Sequence, residues 1–236
     1  MHPSAFLNAK KFFQTYMPEQ SSAVVVEIGA QNINGSIREI APPTLKYIGV
    51  DFAAGNGVDV VLDDPYKLPF ENDSVDVVVT SSCLEHSEMF WVLFLEIMRI
   101  LRPSGLLYIN VPTNGDFHRY PVDCWRFYPD SGDALILWAK RNAFHPLLLE
   151  SFVDKKYMGI WNDYVAVFLK EESQRSLHPN RMIETKDGYF NGKVAENDYI
   201  RSHRGKSPDQ SNAINSLKRW YWDRMYQKVM SKIKSM

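Results

Sequence analysis

The stretch VVVEIGAQNINGSIREIAPPTLKYIGVD, residues 24–51, decides the reading of this chain. Val24 to Ile28 is an apolar, β-branched run next to Gly29, with Glu27 near its end. Such a run between turn signals reads as a buried strand. A loop then leads into a short helix over Ser36 to Ile40, stopped by Pro42 and Pro43. A second apolar strand, Lys46 to Asp51, closes on a carboxylate. In an α/β nucleotide fold, the tip of the second strand is where a ribose is gripped. The two ribose hydroxyls donate hydrogen bonds, and an ionised carboxylate offers two acceptor oxygens, so the match is bidentate.

Working outward, the alternation of strand and helix continues. Strands are expected over Val58 to Leu62, Val75 to Thr80, Leu106 to Val111, Leu147 to Val153 and Tyr164 to Leu169. Helices are expected over Glu88 to Leu101, ended by Pro103-Ser104-Gly105, and over Asp130 to Asn142. Upstream, Ser4 to Tyr16 is amphipathic, with Ser4 as its N-cap. This order predicts an α/β, Rossmann-like doubly wound sheet of seven strands. Most are parallel, and an antiparallel hairpin forms the C-terminal edge. The expected organisation is an N-terminal helix over 1–22, a ligand-binding domain over 23–171 and a C-terminal extension over 172–236.

The bulk numbers fit one sizeable soluble domain plus an appendage. Hydrophobic residues make up 45% and charged residues 23%, and the formal net charge is -1. That balance predicts no general affinity for nucleic acid or anionic membrane. No apolar run reaches the roughly 18 residues of a spanning helix, and the opening MHPSAFLNAKKFF lacks a secretory pattern. Cys83 and Cys124 have no metal-type spacing, so a reduced, cytoplasmic protein without a metal is the default. The extension is basic: residues 174–236 carry thirteen Lys and Arg against six Asp and Glu, about +7. Within it, 174–212 reads as extended or partly disordered. Residues 213–234 read as a basic amphipathic helix, first of all one packing over the site or across a homodimer contact, with a membrane-surface helix or an anionic-polymer binder as alternatives.

The first loop narrows the ligand. Dinucleotide folds place a glycine where the backbone meets a pyrophosphate, but Gln31 stands there. Its side chain would crowd a phosphate and suits a phosphate-free adenosine ligand such as S-adenosylmethionine. Asp63 and Asp64 follow the third strand, where an acid accepts from an adenine amino group; an Asx-turn before Pro65 is the plainer reading.

Five segments together resemble the class I S-adenosylmethionine-dependent methyltransferases of the small-molecule type. They are VVVEIGA (24–30), GVD (49–51), the run from Asp64 to LPF ending at Phe70, DVVVTSSCLEH (76–86) and LEIMRILRPSGLLYINVP (95–112). The resemblance covers about residues 23–170. It departs in the first loop, where Gln31 and Ile33 replace two glycines and Asn34-Gly35-Ser36 follows. Variants with this loop resemble methyltransferases of polysaccharide biosynthesis. The resemblance implies S-adenosylmethionine as cofactor. It places Glu27 near the methionine amino group, Gly29 and Ala30 beneath the cofactor, and Asp51 with Phe52 at the ribose. Asp64 falls near adenine, and Ser81, Ser82 and Leu84 fall on the methyl-donor side with His86.

The acceptor side is read from NVPTNGDFHRYPVDCWRFYPD, residues 110–130. It follows the fifth strand at the carboxyl edge, where open α/β sheets bind ligands. Tyr120, Trp125 and Arg126 suit a sugar-like acceptor, and His118 and Asp123 are the candidate bases, singly or as a pair, with His86 a third catalytic candidate. The plainer alternative is a lid whose aromatics pack on the sheet. Methyl transfer to a sugar hydroxyl is the leading expectation. A non-catalytic module that keeps the fold, and methylation of a non-sugar small molecule, a protein, a lipid or a nucleic acid, stay open.

Overall fold

The computed structural model describes residues 3–17, 22–156 and 161–208, and in the C-terminal part 217, 220–222 and 224–226. The chain forms two compact units, Met1–His203 and Arg204–Met236. In the second unit the described residues Leu217, Trp220 to Trp222 and Arg224 to Tyr226 are helical. The rest of the expected terminal helix lies outside the described residues.

In chain order the first unit contains α1 (Pro3–Tyr16), β1 (Val24–Ile28), β2 (Lys46–Asp51), β3 (Val60–Val61) and β4 (Val75–Ser81). There follow α2 (Phe90–Ile100), β5 (Leu101–Pro112), α3 (Ser131–Arg141), β6 (Leu147–Asp154), β7 (Asp163–Leu169), β8 (Tyr189–Val194) and β9 (Asn197–Arg201). They build one sheet in the order β3-β2-β1-β4-β5-β7-β6-β8-β9. The strands from β3 to β5 pair in parallel, and β7, β6, β8 and β9 join antiparallel. The α/β, mostly parallel architecture is as expected, but nine strands form rather than seven.

The two added strands come from the segment expected to be extended or disordered. They are half-buried strands at the end of the sheet, β9 forming its edge, with burial concentrated at Gly192 and Val194, so they carry no run of apolar residues to announce them. What places them is the outer edge of β6, whose residues Glu150 to Asp154 pair with β8. A second difference concerns Pro103-Ser104-Gly105. The helix α2 stops earlier, at Ile100, because Leu101 is extended at φ -64, ψ 142 and pairs with Val75. The turn residues then lie in an irregularity of β5. Ser4 is likewise inside α1, buried, with its hydroxyl donating to Asp163, and does not cap the helix.

Alternation along the strands sends side chains to two cores. Val26, Val78, Leu107 and Ile109 face α2 and α3 through Phe94, Ile97, Met98, Leu135 and Ala139. Val25, Val77, Val79 and Tyr108 face α1 through Phe12, Phe13 and Tyr16. Burying Phe12 and Phe13 stabilises the second layer by roughly 1.5–3 kcal/mol each. The buried carboxylate of Glu150 on β6 braces that layer. It accepts from the Tyr16 hydroxyl at 2.5 Å and from the Met182 and Ile183 amides at 2.7 and 2.9 Å. Among the described residues no helix is long and apolar enough to cross a membrane.

Candidate active site

A cavity of about 680 Å³ opens beyond the carboxyl ends of β1, β2 and β4. The strand order reverses between β1 and β4, and such a switch point leaves a crevice in an open α/β sheet. Its floor begins at Gly29, whose φ of 77° is left-handed. A Cβ there would lie 2.7 Å from the Cys83 Cβ, so the loop after β4 passes directly over the glycine. Ser82 makes that passage by adopting a φ of 51°, a strained conformation for a residue with a side chain, fixed by its amide bonding to the Asn110 carbonyl.

Asp51 ends β2, is 7% exposed and lines the cavity. The Ala53 amide donates to one of its oxygens at 3.1 Å and the Gln31 amide to the other at 3.2 Å. Each oxygen therefore keeps acceptor capacity, which a vicinal diol could use. Glu27 lines the same wall and accepts from the Tyr47 hydroxyl at 2.9 Å. Burial pushes its carboxyl up to about 7, against the opposing pull of Tyr47 and Arg38. The hydroxyl oxygens of Ser81 and Ser87 are buried without a hydrogen-bond partner, and both residues line the cavity. The Cys83 thiol is pushed up to about 12 by desolvation, so it is no thiolate at neutral pH.

Several residues expected here do line the cavity: Glu27, Gly29, Ala30, Asp51, Phe52, Ser81, Ser82, His86, His118 and Tyr120. Five expected residues stand elsewhere or in another state. Asp64 is not at the wall; its carboxylate accepts from the Tyr66 amide in the Asx-turn before Pro65, and Asp63 lines the cavity instead. Leu84 is 1% exposed and belongs to the core. Asp123 is clamped by both terminal nitrogens of Arg126, at 2.6 and 2.8 Å, and by the His118 amide. Arg126 first, then that amide, hold its carboxyl down at about 2, too weak a base for neutral pH. Trp125 and Arg126 also stand away from the wall. Trp125 donates to the Ser87 carbonyl and packs on Phe90 and Trp91 of α2 rather than on the sheet.

Two side chains gain roles that the sequence did not assign them. Gln31 accepts from the Tyr120 hydroxyl at 2.9 Å and donates to the Ala54 carbonyl, tying the loop after β1 to the loop after β5. Glu85, 1% exposed, lies beside His86, and burial pushes its carboxyl up to about 8. It stands within the quoted Leu84-Glu85-His86 motif, but nothing in its spacing signals a buried acid.

Known proteins share this fold and part of this sequence. Residues 24–109 match the family described as Methyltransferase domain. A segment of 71 residues is 37% identical to phthiotriol/phenolphthiotriol dimycocerosates methyltransferase 1 of Mycobacterium ulcerans (strain Agy99). That match covers 28% of this chain and 25% of the relative's length. Among solved structures, the 1,6-didemethyltoxoflavin-N1-methyltransferase of Burkholderia thailandensis, with S-adenosylhomocysteine bound, aligns with a TM-score of 0.54 at 16% identity. The alignment covers 72% of this chain and 79% of that one. The cyclase SpnF aligns at 0.51 and 11% identity, covering 70% and 81% of the two chains. In fold this chain is similar to the class I S-adenosylmethionine-dependent methyltransferases, and residues 24–109 match a methyltransferase domain, a class whose cofactor is S-adenosylmethionine. The cyclase is a reminder that a fold alone does not fix a reaction.

The residues fit such a cofactor. The carboxylate of Asp51 matches a ribose diol and the acid of Glu27 matches an ammonium group, while Gly29 lets the loop carrying Cys83 close over the cavity floor.

Proposed function

We propose that this protein moves a methyl group from S-adenosylmethionine to a hydroxyl of a small acceptor, a sugar hydroxyl in polysaccharide biosynthesis being the acceptor class we favour. The observation that carries the reading is the pairing, in one cavity, of Asp51 on the ribose side with the imidazoles of His86 and His118. When bound, the cofactor supplies an activated sulfonium donor, so the protein's part is alignment and exclusion of water. Asp51 holds the ribose, Glu27 the amino group of the methionine tail, and Asp63 with Tyr66 the adenine end. Ser81 and Ser82 flank the methyl. Tyr120 and Arg119 supply a ring face and a donor for the acceptor. His86 and His118, which line the same cavity, are the groups we assign to the acceptor's hydroxyl.

Both cysteines are free, which suits a cytoplasmic setting. We read the basic terminal helix as a homodimer contact, since Leu217, Trp220 and Trp222 are exposed on it.

Calorimetry with S-adenosylhomocysteine tests the core of this reading. Binding to the wild type is expected, and Asp51→Ala should weaken it by about 10- to 100-fold, the worth of one or two charge-assisted hydrogen bonds. No binding at millimolar ligand, or an Asp51→Ala variant that binds as well as wild type, would sink it. Radiolabelled methyl transfer to a panel of free and nucleotide-linked sugars then tests the acceptor class; transfer only to non-sugar alcohols would reject the sugar.

A further inference from the structure

We propose that Glu85, His86 and His118 form a binding site for a divalent transition-metal ion at the acceptor end of the cavity. One carboxylate oxygen and two imidazole nitrogens would be its protein ligands. The proposal deepens the reading above, because the open coordination position would take the acceptor's hydroxyl.

The case begins with where the hydrogens must be. Nδ1 of His86 faces the Val122 carbonyl, which can only accept, so Nδ1 carries the proton and Nε2 the lone pair. Nδ1 of His118 lies 3.1 Å from the Asp116 carbonyl and 3.5 Å from an oxygen of Asp123, both acceptors. Its lone pair is therefore also on Nε2. Glu85 is 1% exposed, and its Oε2 has no hydrogen-bond partner. One potential ligand atom from each of the three residues lies within 4.8 Å of the other two. Three electron-pair donors thus converge on one small space.

The spacing suits a cation better than a direct hydrogen bond. His86 Nε2 is 3.8 Å from Glu85 Oε1, too far for a hydrogen bond. Two ligands each about 2.1 Å from one ion stand roughly 3.4 Å apart in a tetrahedron and about 4.2 Å apart when opposite. The three ligand atoms lie within 4.8 Å of one another, and the His118 side chain, 42% exposed, has freedom to close on an ion by about an ångström. The surroundings also fit. Metal-bound imidazoles donate their second nitrogen to a carbonyl or a carboxylate, which fixes the tautomer. His86 does so to Val122, and His118 to Asp116 beside Asp123, which Arg126 buttresses. This gives the Asp123–Arg126 pair a purpose that a base role does not.

A set of two imidazoles and one carboxylate suits zinc, manganese, cobalt or ferrous iron rather than calcium or magnesium. His86 and His118 both line the cavity, so an open position on the ion faces the acceptor. A hydroxyl bound there loses acidity's usual barrier, because the ion stabilises the alkoxide. The acceptor oxygen then forms its bond to the methyl carbon as the carbon–sulfur bond breaks. Sulfur keeps that electron pair and becomes a neutral thioether, and the hydroxyl proton leaves to water.

The test uses the full chain, stripped with chelator and titrated calorimetrically with zinc chloride and manganese chloride, in the presence and absence of S-adenosylhomocysteine. One zinc per chain is expected. Affinity should fall at least about tenfold in His118→Ala and in Glu85→Gln, and stay unchanged in His203→Ala, a histidine remote in sequence from the site. Cobalt loading should give a visible d–d band that His118→Ala abolishes. If Glu85→Gln fails to fold by circular dichroism, the half-exposed His118 variant decides alone. No uptake at micromolar zinc, or uptake that His118→Ala leaves intact, overturns the proposal. If S-adenosylhomocysteine still binds in that case, the methyl-transfer reading survives. If S-adenosylhomocysteine does not bind the wild type, that reading fails whatever the metal does.

Discussion

Glu27 is the residue whose environment makes the sharpest solution prediction. Burial raises its carboxyl from an ordinary 4.5 to about 7, so the folded chain binds a proton more tightly than the unfolded chain does. Stability from this group is fully present below about 4.5 and is lost as pH rises to about 7. The loss is on the order of 3 kcal/mol. In urea titrations from pH 5 to 8, Glu27→Gln should gain on the wild type as pH rises; parallel curves would refute the assignment. If Glu27 meets the ammonium of the cofactor, ligand binding near pH 6.5 should also release a proton. Calorimetry in buffers of different ionisation enthalpy would register that release. Asp51 and Gly29 were legible in the sequence because a strand tip and a tight bend are marked by local residue types. Asp63, Asp64 and Asp123 were less so. Which of two adjacent acids faces the cavity depends on a turn closed by the Tyr66 amide. Whether Asp123 is a base depends on Arg126 folding back onto it. Neither is a property of spacing.

Between elements, the bridge from Tyr120 to Gln31 is the contact most open to test. It joins the loop after β1 to the loop after β5 across the cavity mouth through one hydrogen bond at 2.9 Å. Tyr120→Phe removes about 1 kcal/mol of that coupling. It should speed S-adenosylhomocysteine release about fivefold while leaving thermal stability nearly unchanged; an unaltered off-rate in stopped flow would show the bridge to be incidental. The brace at Glu150 is different in kind. Glu150→Gln sets an amide donor against the Ile183 amide, or against both the Tyr16 hydroxyl and the Met182 amide, and should cost about 2–3 kcal/mol in chemical denaturation. An effect below about 0.5 kcal/mol would refute the brace. The helix and strand order from β1 to β7 was readable because each element repeats its own period. The hairpin of β8 and β9 was not, since it is held by the edge of β6 and by two buried positions rather than by a pattern of its own.

For the whole molecule, the division at His203 gives a clean expectation. A chain ending at that residue should unfold in one cooperative step and bind S-adenosylhomocysteine as the full chain does. Sedimentation velocity on the two lengths then separates a dimer built by the terminal helix from one built elsewhere. A monomer at both lengths would remove the dimer proposal. A chain of 1–203 that aggregates would show that the first unit does not stand alone.

The brace at Glu150 also bears on how the protein is made. Its carboxylate is buried on β6, yet two of its three donors arrive with Met182 and Ile183, and the third sits far upstream on Tyr16. While the ribosome is still working through β7, that charge has only one of its partners, and the layer beneath α1 stays unfinished. The walls of the cavity, from Glu27 to Val122, have all been synthesised by then. The half of the molecule that bears the cavity therefore leaves the exit tunnel before the clasp that locks its back, and a stall or nick ahead of Met182 would yield a nascent protein with its pocket residues complete and its rear face open.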